Sequence, residues 1–263
     1  MSRIPYTPSK EEIEVAREYL EERLEAERSM QTNLRKVMDR AAALIVGIAY
    51  SYNIPPENFS FSRNRAMQAE IDDVIANLVD DVTDYTDTLA TYHHEDESDE
   101  IIAYIHRENH GKTFDERLKE YAQKYKNELE IGVIAALYLK KSQSEALTAI
   151  KNNMEHPYRN PLIAQAIKAG RQMSIPNYGR GRTNAMLTAM LNLTSFAVAE
   201  GWMHGLWLDA VGGNAIGFVT FRNSSVPCDI CDDYAGWLHP MDDPLPPLHA
   251  HCVCGAVFVY VGF

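Results

Sequence analysis

All four cysteines of this 263-residue chain lie between residues 228 and 254, in the pattern C-x2-C-x17-H-x-H-C-x-C. Two thiolates separated by two residues can bind one metal ion from a tight turn, and His249 and Cys252 have the same spacing. Sulfur and imidazole donors in a tetrahedral set suit Zn²⁺ and require no carboxylate. The pattern predicts a structural zinc site with Cys228 and Cys231 as two of its ligands. The other two come from the second cluster, which consists of His249, His251, Cys252 and Cys254.

The segment between the two halves of this pattern, residues 232–248, contains four prolines and four aspartates. It has almost no periodic apolar residues, so it cannot bury enough surface to offset an ordering cost of roughly 1–2 kcal/mol per residue. A structural zinc contributes about 10–16 kcal/mol in model peptides, which is enough to hold such a loop. We therefore expect the ion to replace a missing hydrophobic core in this part of the chain.

Three other uses of the cysteines compete with a structural site. Two disulfides require an oxidising compartment, but the first twenty residues turn acidic where a secretory signal would be apolar. A thioredoxin-type C-x2-C sits at a helix N-terminus after a strand and lacks a second cysteine cluster, whereas here the chain continues as DDYAG. A catalytic zinc needs an open coordination position and a carboxylate base, for which Asp229, Asp232 and Asp233 are candidates. The sulfur-rich donor set argues against this open catalytic site, and the structural site is favoured over all three alternatives.

The first two-thirds of the chain have a helical pattern. Apolar residues recur with a 3.6-residue period from Ser9 to about Tyr52, and Glu12 stands three positions after Ser9, as in a capping box. The consecutive prolines within 53–62 end this helix or helix pair because they cannot continue its hydrogen bonds. The pattern predicts further helices at 63–92, 98–109, 113–140, 142–153 and 159–173.

A glycine-rich turn at 174–182 precedes one more predicted helix. Thr183 or Asn184 can cap its N-terminus, and Gly201 after Glu200 can end it.

Beyond this helix the composition favours β-structure. Two runs of β-branched and aromatic residues, 214–227 and 255–263, are typical of strands and flank the cysteine segment. We expect an α+β chain with two domains: an acidic helical region, 1–174, and a small α+β module, 175–263, with a treble-clef- or knuckle-like zinc hairpin.

The net charge of −12 is confined to the front of the chain. Residues 1–100 carry 10 Lys or Arg against 22 Asp or Glu, whereas residues 101–263 carry 15 of each. The acidic face is either solvated or docks on a basic protein surface. No basic stripe is present to neutralise nucleic-acid phosphates. The longest apolar runs, 41–50 and 131–139, are too short to cross a bilayer, so no membrane partner is expected.

Residues 175–263 contain the helix GRTNAMLTAMLNLTSFAVAEGW, then FVTFRNSSVPCDICDDYAG with its C-x2-C and Gly236, and then the ending PLPPLHAHCVC. With these segments the region resembles the phage minor head protein family named for the Mu protein F, also called the head morphogenesis domain. His249, Cys252 and Cys254 match the family's His and two Cys. The sequence departs from the family pattern at Asn184 (acidic in relatives), Ala250 (Pro), His251 (Asn) and Val253 (Arg).

The resemblance implies a low-copy structural component of the virion, made in the host cytoplasm and placed near the portal vertex. Its partners would be the portal or major capsid proteins, with weak contact to packaged DNA, and no catalysis is implied. The apolar residues of the proline-rich loop can anchor such contacts, since a loop fixed by prolines loses little entropy on binding. They can equally pack on the module's own strands. These residues are Trp237, Leu238, Leu245 and Leu248.

Two alternative functions remain open from the sequence. The first is a zinc-stabilised nucleic-acid-binding module, although residues 164–263 hold only 5 Lys or Arg against 7 acidic residues. The second is an enzyme, either a zinc hydrolase or a thiol oxidoreductase. A metal held entirely by protein ligands, with unreactive thiols, would exclude the enzyme.

Overall fold

The computed structural model describes residues 4–176 and 185–261. Its α-helices are α1 (Lys10–Ser51), α2 (Arg65–Ala90), α3 (Ser98–Ile105), α4 (Phe114–Tyr138), α5 (Gln143–Lys151), α6 (Pro161–Lys168), α7 (Met186–Gly212) and α8 (Asp229–Tyr234). Its strands are β1 (Ile4–Pro5), β2 (Ala215–Phe221), β3 (Trp237–His239) and β4 (Gly255–Tyr260). The predicted α+β class is confirmed, with a mostly helical N-terminal region and a small C-terminal group of strands. Among the described residues, no helix combines the length and the apolar character that crossing a membrane requires.

The long first helix begins where the sequence predicts. The backbone N–H of Glu12 donates to Ser9 Oγ at 3.2 Å, and the Ser9 N–H donates to Glu12 Oε2 at 2.7 Å, which completes the capping box. α1 is one continuous helix of 42 residues, and the proline-containing segment after it forms only short 3₁₀ turns. α2 to α6 all lie within their predicted ranges.

The described chain forms two compact units that each contain several separate segments. One unit consists of Met1–Gln31, Tyr85–Phe114 and Asn192–Phe263, and the other of Thr32–Asp84 and Asp115–Leu191. This division differs from the predicted domains 1–174 and 175–263. A helical period reveals which face of a helix is buried, but it does not reveal which distant segment covers that face.

The first unit contains a four-stranded sheet with the order β1-β3-β2-β4. β2 pairs antiparallel with both β4 and β3. β1 pairs with β3 through Ile4 opposite Leu238 and Pro5 opposite Trp237, so the N-terminal residues form an edge of a sheet built from the C-terminal segment. β1 and β3 cannot be predicted from the sequence, because two or three residues are too few to show alternation.

α7 covers the sheet through a small apolar core. Met203 of α7, Phe218 of β2 and Ala256 of β4 form a buried cluster. Four partly buried side chains pack against this cluster: Leu206, Tyr234, Leu245 and Phe258.

α7 is longer than predicted, because Gly201 does not end it. The helix continues to Gly212, and a Cβ at position 201 would lie 2.7 Å from the Cβ of Ala90 at the end of α2. Gly201 therefore allows α7 to pack closely against the end of α2. In the sequence, a glycine with this role cannot be told from one that ends a helix. The predicted caps Thr183 and Asn184, and most of the predicted turn at 174–182, lie outside the described residues.

The second unit is a group of packed helices. The Tyr125 hydroxyl of α4 is buried and donates to the Met38 carbonyl of α1 at 3.0 Å. Glu128, one turn further along α4, accepts from the backbone N–H of Met186 at 3.1 Å, where α7 begins. Burial raises the pKa of Glu128 to about 8.

Candidate metal centre

The pairing of β2 with β4 brings the two halves of the cysteine pattern together. Phe221, the last residue of β2, lies opposite Gly255, the first residue of β4. The first cysteine pair follows β2, and the second pair directly precedes β4. Gly255 leaves room for the Phe221 ring, since a Cβ there would lie 2.5 Å from its Cζ. The strand register thus places all four thiols at one end of the β2–β4 ladder.

The donor atoms of the pattern form two overlapping groups. Cys228, Cys231 and His249 form one, Cys231, Cys252 and Cys254 form the other, and within each group the donor atoms lie within 4.8 Å of one another. His249 Nε2 lies 3.2 Å from Cys228 Sγ and 3.1 Å from Cys231 Sγ, and the Sγ atoms of Cys231 and Cys252 are 3.8 Å apart. Ligands around a tetrahedral Zn²⁺ with bonds of about 2.0–2.3 Å are separated by about 3.3–3.8 Å. Each of the two groups could therefore supply ligands to a metal ion, and Cys231 belongs to both.

None of the four cysteines is in a disulfide. Cys231, Cys252 and Cys254 are buried and pack against one another, and Cys228 lies partly buried beside them. This arrangement differs from the two-disulfide alternative.

His249 is oriented as a ligand. Its Nδ1–H donates to the Ala250 carbonyl at 2.8 Å, which leaves Nε2 facing the two thiols. The same hydrogen bond raises the pKa of His249. His251, the other candidate histidine, is exposed and has a left-handed backbone with φ of 62°. It belongs to neither donor group among the described residues.

The thiols differ in how readily they lose a proton. A hydrogen bond from Cys254 lowers the pKa of Cys252 to about 5, and the same contact raises the pKa of Cys254. Burial raises the pKa of Cys231 to about 12. Because the thiolate is the form that binds metal, filling this centre at neutral pH requires proton release from Cys231 and Cys254, whose pKa values are raised.

The first cysteine pair is held by a short helix that the sequence analysis did not predict. Cys228 is the N-cap residue of α8, so this C-x2-C does sit at a helix N-terminus after a strand. The continuation as DDYAG therefore does not distinguish this pair from a thioredoxin-type motif. Unlike an isolated redox motif, however, this pair is surrounded by the donors of the second cluster.

Asp232 supports the first cysteine pair through the backbone. Its Oδ2 accepts from the Cys228 N–H at 3.1 Å, and its other carboxylate oxygen pairs with Arg222. Arg222 also donates to the carbonyl oxygens of Ser224 and Val226. One of the three carboxylates that the sequence offers as a catalytic base thus has a role in shaping the turn.

Arg23 is a contributor to this centre that the sequence analysis missed. It lies on α1 with a relative exposure of 0%. One terminal nitrogen donates to the Cys252 carbonyl at 3.0 Å and the other to the Cys254 carbonyl at 3.5 Å. The sequence feature that could identify Arg23 as buried is its position on the apolar face of α1, four residues after Tyr19 and three after Leu20.

The predicted interface residues are all half-buried in the structure. Trp237 and Leu238 form part of β3 between β1 and β2, and Leu245 packs on the core cluster of the sheet. Leu248 immediately precedes His249.

The sulfur-rich cluster of Cys228, Cys231, His249, Cys252 and Cys254 is therefore a candidate metal centre at the end of the sheet. No protein-family profile, curated protein or solved structure matches this chain.

Proposed function

We propose that this chain is a structural minor head protein of a tailed phage or prophage, which contacts the portal or other head proteins during head assembly and DNA packaging. In this proposal a structural Zn²⁺ holds residues 228–254. The observation that carries it is the combination of the head-morphogenesis motif with the gathering of its cysteines and His249 into one cluster.

The donor chemistry supports zinc as the ion. Five sulfur or imidazole donors are available, and a tetrahedral ion needs four. Three of the thiols are buried, with relative exposures of 3–4%. A centre filled by four of these donors has no coordination position left for a substrate, which favours a structural role over a hydrolytic one.

The charge distribution supports protein partners. Seven glutamates on the first turns of α1 are exposed: Glu11, Glu12, Glu14, Glu18, Glu21, Glu22 and Glu25. An acidic surface of this kind steers association with a basic protein surface and repels DNA phosphates. Contact with packaged DNA would then be weak and would depend on other head proteins.

The direct test is to locate the chain in purified particles. An epitope-tagged copy expressed during phage production should sediment with heads or proheads at a few copies per particle, and electron microscopy should place it at the portal vertex. A chain that stays in the unassembled fraction at every stage would refute the head-protein role.

A second measurement separates the alternatives. Purified protein should show weak binding in a gel shift with double-stranded DNA at physiological salt. Tight binding that falls steeply with salt concentration would instead favour a nucleic-acid-binding module.

A further inference from the structure

Arg23 is a fully buried cation on a helix that is otherwise rich in exposed charge. Burying a guanidinium is costly unless its donors are hydrogen-bonded or paired. Its Nε lies 3.3 Å from Glu27 Oε1, one helical turn away. The two terminal nitrogens face the backbone of the metal-binding segment.

The carbonyls that Arg23 binds belong to the two cysteines of the second half of the pattern. They lie on either side of Val253, so the planar guanidinium spans the backbone that presents both thiols. Arginine suits such a two-point contact, whereas lysine offers a single point charge. Groups that hold the backbone or rings of metal ligands tune metal affinity even though they never touch the ion.

We propose that Arg23 is a positioning residue of the metal centre, which couples metal binding to the packing of the α1 segment 10–31. The ion fixes the Cys252 and Cys254 thiols, and this orients the two carbonyls that hold Arg23. Coupling between two binding events is reciprocal, so the packed helix in turn strengthens metal binding. This inference rests on the proposed metal centre.

The coupling is local because α1 has a second, independent anchor. The Tyr19 hydroxyl donates to the Trp202 carbonyl at 2.8 Å and lies 3.1 Å from His94 Nε2. Loss of the ion therefore loosens the segment around Arg23 and leaves the Tyr19 contact in place. We expect the effect to centre on residues 20–31.

The first experiment uses the full-length wild-type chain. Hydrogen–deuterium exchange is compared between protein loaded with Zn²⁺ and the same protein after chelation. Exchange should rise about tenfold in residues 20–31, the scale of one hydrogen bond to a charged group, in addition to a rise in 228–254. Residues 143–151 of α5 serve as the internal reference.

The second experiment compares three variants of α1. Arg23→Met should weaken Zn²⁺ affinity by about 10- to 100-fold, as replacement of an outer-shell partner commonly does, and should abolish the metal dependence of exchange in 20–31. Arg23→Lys should recover part of the Zn²⁺ affinity and part of the metal dependence of exchange. Arg17→Met, at an exposed position of the same helix, is the matched control and should behave as wild type.

The outcomes separate this inference from the metal centre itself. Wild-type protein that takes up no metal would refute the centre and the coupling together. Protein that binds Zn²⁺ but shows unchanged exchange in 20–31 after chelation would refute the coupling alone, as would an Arg23→Met variant with wild-type affinity. If Arg23→Met does not fold, the wild-type exchange measurement decides by itself.

Discussion

Replacement of the donor that both groups share is the sharpest test of the candidate metal centre. Cys231 is the only residue in both donor groups found among the described residues, and its side chain is buried. Cys231→Ser leaves Cys228 with His249 on one side and Cys252 with Cys254 on the other. Neither pair can complete a tetrahedral set without moving toward the other.

The size of the effect follows from the binding energy. If about 10–16 kcal/mol of structural zinc binding is shared by four ligands, each supplies about 2.5–4 kcal/mol. At 1.4 kcal/mol per tenfold, Cys231→Ser should weaken Zn²⁺ affinity by about 100- to 1,000-fold. Cys254→Ser is chemically the same change at an equally buried position, but it removes a donor from only one group. After that change the group of Cys228, Cys231 and His249 stays whole and Cys231 still contacts Cys252, so the loss should be at least tenfold smaller.

Competition of the full-length variants with a chromophoric chelator measures these affinities. Cobalt substitution reports the number of thiolate ligands through its sulfur charge-transfer absorption. Equal losses for Cys231→Ser and Cys254→Ser would refute the reasoning from overlapping donor groups. Tight binding by Cys231→Ser would show that this thiol is not a ligand.

Three further predictions concern the remainder of the chain. His251→Ala should change thermal stability by less than about 0.5 kcal/mol and leave zinc content unchanged, because the side chain is exposed and outside both donor groups. Gly201→Ala should destabilise the protein by about 1–3 kcal/mol in thermal unfolding because its Cβ would lie 2.7 Å from Ala90, whereas Gly212→Ala, with nothing within 4 Å, should be neutral. Glu128 should make wild type less stable as pH rises from about 4.5 to 8, because its raised pKa means that the unfolded state loses the proton first. Between pH 5 and pH 9, the unfolding free energy of Glu128→Gln should fall by up to about 4 kcal/mol less than that of wild type, as measured by urea unfolding. Identical pH profiles for the two proteins would contradict this prediction.

Local interactions explain why much of the fold could be predicted. The capping box of α1 joins residues three positions apart, and helical periods reflect contacts within a turn or two. The spacing of the cysteines likewise indicates a shared ion, because a two-residue gap suits one turn whatever surrounds it. The helices and the candidate ligands can therefore be predicted from the sequence without any tertiary contact.

The remaining features depend on contacts between distant parts of the chain. Arg23 reaches carbonyls 229 and 231 residues away, and β1 pairs with a strand more than 230 residues later. In the sequence Gly201 resembles a helix stop, and only the structure shows that it packs closely against Ala90. The chemistry of the side chains does not decide between His249 and His251, because both suit zinc. The tertiary structure decides, because only His249 lies in a donor group with the thiols. Sequence alone determined which residues can bind metal and which can form helices, because those properties are local. Tertiary structure decided which of them meet, because that depends on how the whole chain packs.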